Sequence, residues 1–183
     1  MKQVYLLTGR PGTGKTSIIK QVVAEARGKV GGFYTEEIRS RGVRQGFRLV
    51  TLDGQIATLA HVNIDSPYRV SKYGVDIDSL DKVGVSAINR AAEKCDLIVV
   101  DEIGKMELFS DKFKQVVSQL IDGGKRVLGS IMLSPDPLAD AIKRKPQVNV
   151  IEVTRYNHER VLEVLFRWLE AGNPDNHSTT SPR

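Results

Sequence analysis

The chain contains a single cysteine, Cys95, among 183 residues. That count excludes an internal disulfide and a metal site built from cysteines. Histidine is also sparse. His61, His158 and His177 are scattered, with no spacing suited to a metal site, and no role is assigned to them. Long hydrophobic runs are missing as well: nothing approaches the roughly 18 consecutive apolar residues of a membrane span. The opening MKQVYLLTGRPG has an apolar run of four residues, too short for the core of a signal peptide. A reducing cytoplasm is the compartment expected, with no membrane partner.

What is present is a chain 40% hydrophobic and 27% charged, enough for one substantial core. Its net charge of +5 is unevenly placed. Residues 1–60 hold ten Lys and Arg against four Asp and Glu, whereas the remainder holds seventeen against eighteen. A local surplus of this kind suits nucleic acid, a phosphorylated small molecule, or only a solvated face.

The hydrophobic pattern alternates between short apolar runs and helical spacing. Residues 4–7 read as a buried strand, and Ile18, Ile19, Val22, Val23 and Ala26 form a helical stripe that Gly28 is placed to stop. Residues 30–38 and 47–52 read as strands around a polar loop at 40–45. Asp53-Gly54 signals a two-residue hairpin leading into 55–60. Together these predict a small antiparallel meander. Residues 61–78 carry Pro67 and three aspartates and are not assigned.

The alternation resumes with a helix over 80–93, a strand over 97–100 and a helix carrying Phe113, Val116, Val117, Leu120 and Ile121. Ser110 is its expected N-cap and Gly123-Gly124 its end. Strands at 126–131 and 148–153 flank a short helix at 138–143, and a last helix ends at Gly172. The pattern predicts an α/β fold, a mostly parallel sheet covered on both faces. One domain is expected over 1–171, with a disordered tail at 172–183 lacking apolar residues other than proline.

Gly9-Arg10-Pro11-Gly12-Thr13-Gly14-Lys15-Thr16 is a full match to G-x-x-x-x-G-K-[ST], with a buried strand before it and an amphipathic helix after it. Glycines let consecutive backbone N–H groups turn inward around phosphate oxygens. Lys15 is placed to reach the β- and γ-phosphates, and the Thr16 hydroxyl to ligate Mg²⁺. Further along, the apolar run Leu97-Ile98-Val99-Val100 ends in Asp101-Glu102. Carboxylates at the end of such a strand stand where ligands bind in open parallel sheets. Asp101 suits Mg²⁺, which keeps most of its waters. Glu102 is placed to orient or deprotonate an attacking water. Ser130 has two readings, a contact to the γ-phosphate or its water and a small core residue bonded to backbone.

Several longer segments carry a resemblance. Gly9–Thr16 together with GFYTEEIR at 32–39, Gly46-Phe47 and DEIGKMELFS at 101–110 resembles the THEP-type nucleoside-triphosphatase family, small P-loop proteins also called cancer-related nucleoside triphosphatases. The likeness covers residues 1–170. It implies a three-layer RecA-like P-loop fold, mostly parallel with an antiparallel meander extension. It also implies slow, Mg²⁺-dependent hydrolysis of ATP, GTP, CTP, UTP and TTP, with little base selectivity, by a cytoplasmic monomer. Carried over by position, the nucleotide lies against Gly9 to Thr16 and against Asp101, Glu102, Ile103, Gly104, Lys105, Met106 and Glu107.

Arg39, Arg41, Arg44 and Arg48 crowd one predicted hairpin. An arginine supplied in cis stabilises charge developing on a transferring phosphoryl group; Arg39 is the first choice and Arg44 the second, beside a solvated hairpin face as the bland reading. Lys105 and Glu107 either form a loop over the nucleotide or pair with each other on the surface. Glu36 and Glu37 are adjacent, so at most one faces the site. Thr154 and Asn157 suit contact with the base or helix capping equally. Trp168 and Phe166 are read as packing residues. Beside the hydrolase stand a small-molecule kinase on the same loop and a nucleotide-dependent nucleic-acid-binding module. The last lacks aromatics interleaved with its basic residues, so nucleic acid is not the expected partner.

Overall fold

The computed structural model describes residues 2–172. Nine strands form one sheet. They are β1 (Val4–Thr8), β2 (Val30–Ser40), β3 (Val43–Thr51), β4 (Ile56–His61), β5 (Arg69–Val70), β6 (Tyr73–Val75), β7 (Leu97–Ile103), β8 (Val127–Ile131) and β9 (Val148–Glu152). Their spatial order is β5-β6-β4-β3-β2-β7-β8-β1-β9. The five strands from β2 to β9 in that order pair in parallel, and β3, β4, β6 and β5 continue the sheet antiparallel.

Period-two alternation decides which residues cover each face. In β7, Ile98 and Val100 enter one core while Leu97 and Val99 enter the other. In β1, Leu6 and Leu7 divide in the same way. One face packs α1 (Lys15–Glu25) and α6 (His158–Ala171). The other packs α2 (Ile77–Ser79), a π-helical segment (Leu80–Val85), α3 (Ser86–Lys94), α4 (Asp111–Asp122) and α5 (Pro137–Lys143). This is the three-layer α/β arrangement with an antiparallel extension that the sequence predicts.

Ser110 caps α4 as expected, its Oγ accepting from Phe113 N–H at 3.0 Å. Trp168 is a packing residue. Its indole stacks against Tyr5 with ring centroids 4.7 Å apart, lies under the Arg126 guanidinium and donates to the Lys2 carbonyl at 3.1 Å.

Four local expectations change. The expected loop at 40–45 is strand: Arg39 pairs with Arg44 and Ser40 with Val43 across a two-residue turn, Arg41-Gly42, both at positive φ. That geometry matches the right-handed twist of the flanking strands, so polar composition alone does not make a loop here. Conversely, Asp53-Gly54 is not a two-residue turn. Thr51 and Gln55 close a three-residue loop, with Thr51 N–H donating to the Gln55 carbonyl at 2.9 Å and the Thr51 hydroxyl to Asp53 at 2.5 Å. Residues 61–78 supply β5 and β6. The helix expected from residue 80 begins at Ile77, where Asp76 accepts from Ser79 N–H at 2.9 Å. The predicted tail beyond Gly172 lies outside the described residues.

Phe113 on α4 is fully buried and meets Phe33 on β2 with centroids 6.4 Å apart. Phe113→Ala is expected to destabilise the fold by about 3–5 kcal/mol, read as a shift of the denaturation midpoint. A loss below about 1 kcal/mol would mean that this layer closes without the ring.

Candidate active site

The segment from Gly9 to Gly14 links β1 to α1. Gly14, at φ 93°, occupies the N-cap position, and no side chain caps α1. The N–H groups of the first turn of α1 and the positive end of its dipole are thus left for an anion. The Thr13 hydroxyl donates to the Arg10 carbonyl at 2.9 Å. Lys15 Nζ curls back over the loop, donating to the Gly9 and Arg10 carbonyls at 2.9 and 3.0 Å.

The loop is braced from the β9 side. A Cβ on Gly9 would stand 2.5 Å from the Val153 carbonyl oxygen, so that approach needs glycine. His158, the first residue of α6, donates from Nε2 to the Thr13 carbonyl, and its ring fills the space beside Gly14. No signal in the sequence connects a histidine at 158 with a loop 145 residues earlier; the connection is made by the sheet, which sets β9 beside β1.

Asp101 and Glu102 lie within β7 and not after it, because the strand runs on to Ile103. Asp101 is almost wholly buried and fixed on three sides. Thr16 Oγ1 donates to its Oδ2 at 2.6 Å, Ser130 Oγ donates to its Oδ1, and Thr35 Oγ1 donates to its backbone carbonyl at 2.6 Å. Ser130 is a buried core residue, as its second reading has it, but its hydroxyl bonds the Asp101 carboxylate and not the backbone. Gly104 gives Glu102 its place. A Cβ at 104 would sit 2.3 Å from Glu102 Oε1.

Burial pushes the Asp101 carboxyl up in pKa, against the hydrogen bonds from Ser130 and Thr16 and the charge of Lys15. Glu102 is raised by burial and then by Asp101, with Lys15 opposing. Glu107 is raised well above the ordinary value by burial and then by the Glu102 charge. Of the two readings of Lys105 and Glu107, the surface pair is not formed. Glu107 is 4% exposed, on a 3₁₀ turn at Glu107–Phe109. Three acids thus converge where Lys15 is the nearby cation, a field that favours an additional positive charge. Among the described residues no three His, Cys, Asp or Glu form a metal cluster. Thr16 Oγ1 and Asp101 Oδ2 instead make a pair of hard oxygens, the donor set of a small cation that keeps its waters and borrows phosphate oxygens.

These groups open onto one cleft of about 740 Å³. Phosphate-loop residues line one wall, and Asp101, Glu102, Lys105, Met106 and Glu107 line the floor. Thr35, Glu37, Arg44 and Phe47 of the β2–β3 hairpin form the far wall, and Met132, Leu133 and Ser134 after β8 close another side. Among the residues carried over as nucleotide contacts, Thr13, Ile103 and Gly104 do not line it, and neither does Ser130. Ile103 is core, packed in register with Ile131, and Gly104 acts through the room it leaves.

Arg39, the first-choice arginine, is a correction. It sits at the hairpin tip, where it donates to Glu37 at 2.7 Å and to the Gly42 carbonyl at 2.8 Å, and it does not border the cleft. Arg44 does, held by Glu37 at 3.0 Å and the Tyr73 hydroxyl at 3.0 Å. Glu36 points to the other face, paired with Lys20 and Arg48, so one of the two adjacent glutamates faces the site, as strand geometry requires. Thr154 and Asn157 serve the β9–α6 loop itself: Asn157 accepts from Thr154 N–H and donates to the Glu152 carbonyl, each at 2.8 Å, so it occupies the N-cap position of α6 with no capping bond from its side chain. Thr35 and Phe47 stand in segments that carry the resemblance but are given no place at the site by it, and the 132–134 turn is not singled out. Their types carry no chemical signal; only the register of β2 and β8 against β7 brings them in.

Residues 4–166 match the family described as NTPase. The chain is similar to the nucleoside-triphosphatase THEP1 of Thermotoga petrophila, at 43% identity over 95% of this chain and 97% of that one. It is also similar to the mouse cancer-related nucleoside-triphosphatase homolog, at 35% identity over 88% and 94%. The crystal structure of THEP1 from Aquifex aeolicus superposes with a TM-score of 0.83 at 34% identity, covering 91% of this chain and 99% of that one. The solution structure of a human cancer-related nucleoside triphosphatase gives 0.77, also at 34% identity, covering 94% of this chain and the whole of the other. The chain belongs to this NTPase family.

A raised Glu107 pKa has a consequence for stability. The folded chain holds this proton more tightly than the unfolded chain, so stability falls as pH rises from the unfolded carboxyl value through the folded one. Glu107→Gln removes that slope. Its Tm is expected to exceed that of the unsubstituted chain near pH 7, with the gain vanishing at about pH 4 and below. A thermal melt series across pH checks this; a gain independent of pH would contradict it.

Proposed function

We propose that the chain hydrolyses nucleoside 5′-triphosphates to the diphosphate and phosphate in a Mg²⁺-dependent reaction. The observation that carries this reading is the cleft itself, which brings a phosphate loop with Lys15, the hard-oxygen pair Thr16 and Asp101, and the buried carboxyl of Glu102 to one space. On this reading the N–H groups from Gly9 to Thr16 cradle the phosphates, and Lys15 leaves the Gly9 and Arg10 carbonyls for the β- and γ-phosphoryl oxygens. Thr16 and Asp101 would hold the cation, which would supply positive charge against the triphosphate. Glu102 accepts a proton from water as the water oxygen bonds to the γ-phosphorus and the bond to the β–γ bridging oxygen breaks. Arg44 replaces Arg39 as the arginine on the γ side.

Two features support slow and base-indifferent turnover. Arg44 is already partly neutralised by Glu37, which weakens its pull on developing phosphoryl charge. Beside the phosphate loop, the β9–α6 loop carries Tyr156, 96% exposed, with its N–H on the Thr154 hydroxyl at 3.2 Å. A free aromatic face stacks on any base. The basic surplus also reads as local: Lys20, Arg39, Arg44 and Arg48 all pair with Glu36 or Glu37, which speaks against a polymer-binding stripe. No helix among the described residues is long and apolar enough to cross a membrane. The single cysteine suits a cytoplasmic site of action, and the continuous sheet suits one domain.

Glu102→Gln is expected to lower kcat by about 10²–10⁴ while nucleotide Kd is kept, and Lys15→Ala to lose binding. Phosphate release from a five-nucleotide panel, with and without Mg²⁺, is the measurement; unchanged release by Glu102→Gln would remove that residue from the mechanism. Tyr156→Ala is expected to raise KM by about tenfold, in line with the loss of one stacking contact, and to a similar degree for every nucleotide. An effect confined to one base would show that Tyr156 reads the base and does not merely stack on it.

A further inference from the structure

A second cavity, of about 400 Å³, adjoins the cleft on the hairpin side. Arg44, Phe47, Val70 and Met106 border both spaces, whereas Ser71, Lys72 and Tyr73 border only the second. Its position follows from strand order. The phosphate loop rises from β1, the acids from β7, and Arg44 and Phe47 from β3 two strands further along. Phosphates that start on the loop and run towards Asp101 and Glu102 therefore point their γ end at this cavity. Hydrolysis needs only a water there, yet the space is of the size that holds small organic ligands.

Its walls are chemically specific. Phe47 and Tyr73 meet edge to face with centroids 5.3 Å apart, and Val70 and Met106 extend that apolar floor. Two cations stand over it. The Arg44 guanidinium lies 5.1 Å from the Phe47 ring centroid and 5.7 Å from that of Tyr73, and Lys72 Nζ lies 5.6 Å from Tyr73. Glu37 and the Tyr73 hydroxyl engage Nη1 and Nε of Arg44 and leave its second Nη. Lys72 is exposed and takes part in none of the ion pairs among the described residues. Two cations above an aromatic floor match a dianionic head on a flat apolar body.

We propose that this cavity is a second binding site, for a ring-bearing phosphate monoester held between Arg44 and Lys72 with its ring on Phe47, Val70 and Met106. The site rests on the hydrolase reading only for its orientation, on the γ side of the triphosphate. A ligand seated there would share the cleft with the nucleotide and not displace it.

The test is calorimetric titration of the full chain with phenyl phosphate, after the phosphate loop has been saturated with Mg²⁺ and the imido analogue of ATP. One saturable site is expected, weakened by about tenfold in Lys72→Ala and further in Lys72→Glu, with the imido analogue binding all three chains alike. Inorganic phosphate should bind at least about tenfold more weakly than phenyl phosphate, since it has no ring to bury. Displacement of phenyl phosphate by the imido analogue, equal binding to Lys72→Ala, equal binding of inorganic phosphate, or no binding at all would each overturn the proposal. Failure of the imido analogue to bind the unsubstituted chain would instead overturn the hydrolase reading, and the same titration of the free chain would still decide the cavity.

Discussion

The carboxylate of Asp101 is the fixed point of this molecule. One oxygen is held by Thr16 at the head of α1, the other by Ser130 in β8, and the carbonyl behind it by Thr35 in β2. Four elements are thereby tied to one buried group, whose desolvation those hydrogen bonds partly offset. The geometry of the cleft follows. Next to Asp101, Glu102 lies over the space that Gly104 keeps clear, and the turn at Glu107–Phe109 brings a third acid close enough to feel the Glu102 charge. The same concentration of buried acid burdens the fold, since burial raises each of the three carboxyls in pKa.

The hairpin of β2 and β3 works differently. Its adjacent glutamates face opposite ways, and each collects two basic residues: Glu36 with Lys20 and Arg48, Glu37 with Arg39 and Arg44. Exposed pairs of this kind add little to stability. Their effect is on the cleft, since they decide which arginine borders it and how much of its charge remains for a ligand. Arg44 stays because Tyr73, from a strand two positions further across the sheet, takes its Nε.

Much of the fold and the central chemistry could be read from the residues. The G-x-x-x-x-G-K-T run, the buried strand ahead of Asp101-Glu102 and the stripe of α4 are local patterns with one physical solution each. The errors fall where local composition competes with pairing. Ser40 to Gln45 looks like a loop because it is polar, yet it extends a ladder around the tight turn at Arg41-Gly42. Arg39 and Arg44 are indistinguishable by type, and the bulge at Ile38/Arg39 helps to settle which one turns inward. For Glu107 the residues leave open a loop over the nucleotide and a surface pair, and neither discloses that the turn at Glu107–Phe109 buries it. His158 could not be read at all, because its contact with Thr13 exists only once β9 lies beside β1.

That last pairing bears on the order in which the site can come into being. β1 is the first strand of the chain, yet its two neighbours, β8 and β9, are nearly the last. The phosphate loop is therefore written early but shaped late, when Val153 and His158 reach Gly9 and Thr13 across more than 140 residues of chain. A chain emerging from synthesis carries the loop long before it has the means to hold it in form. Closure of such distant contacts carries a larger loop entropy and is slow. The loop's native shape is thus a mark of completed folding, and a partly folded chain, though it already contains Lys15 and Thr16, presents no organised cradle for phosphate.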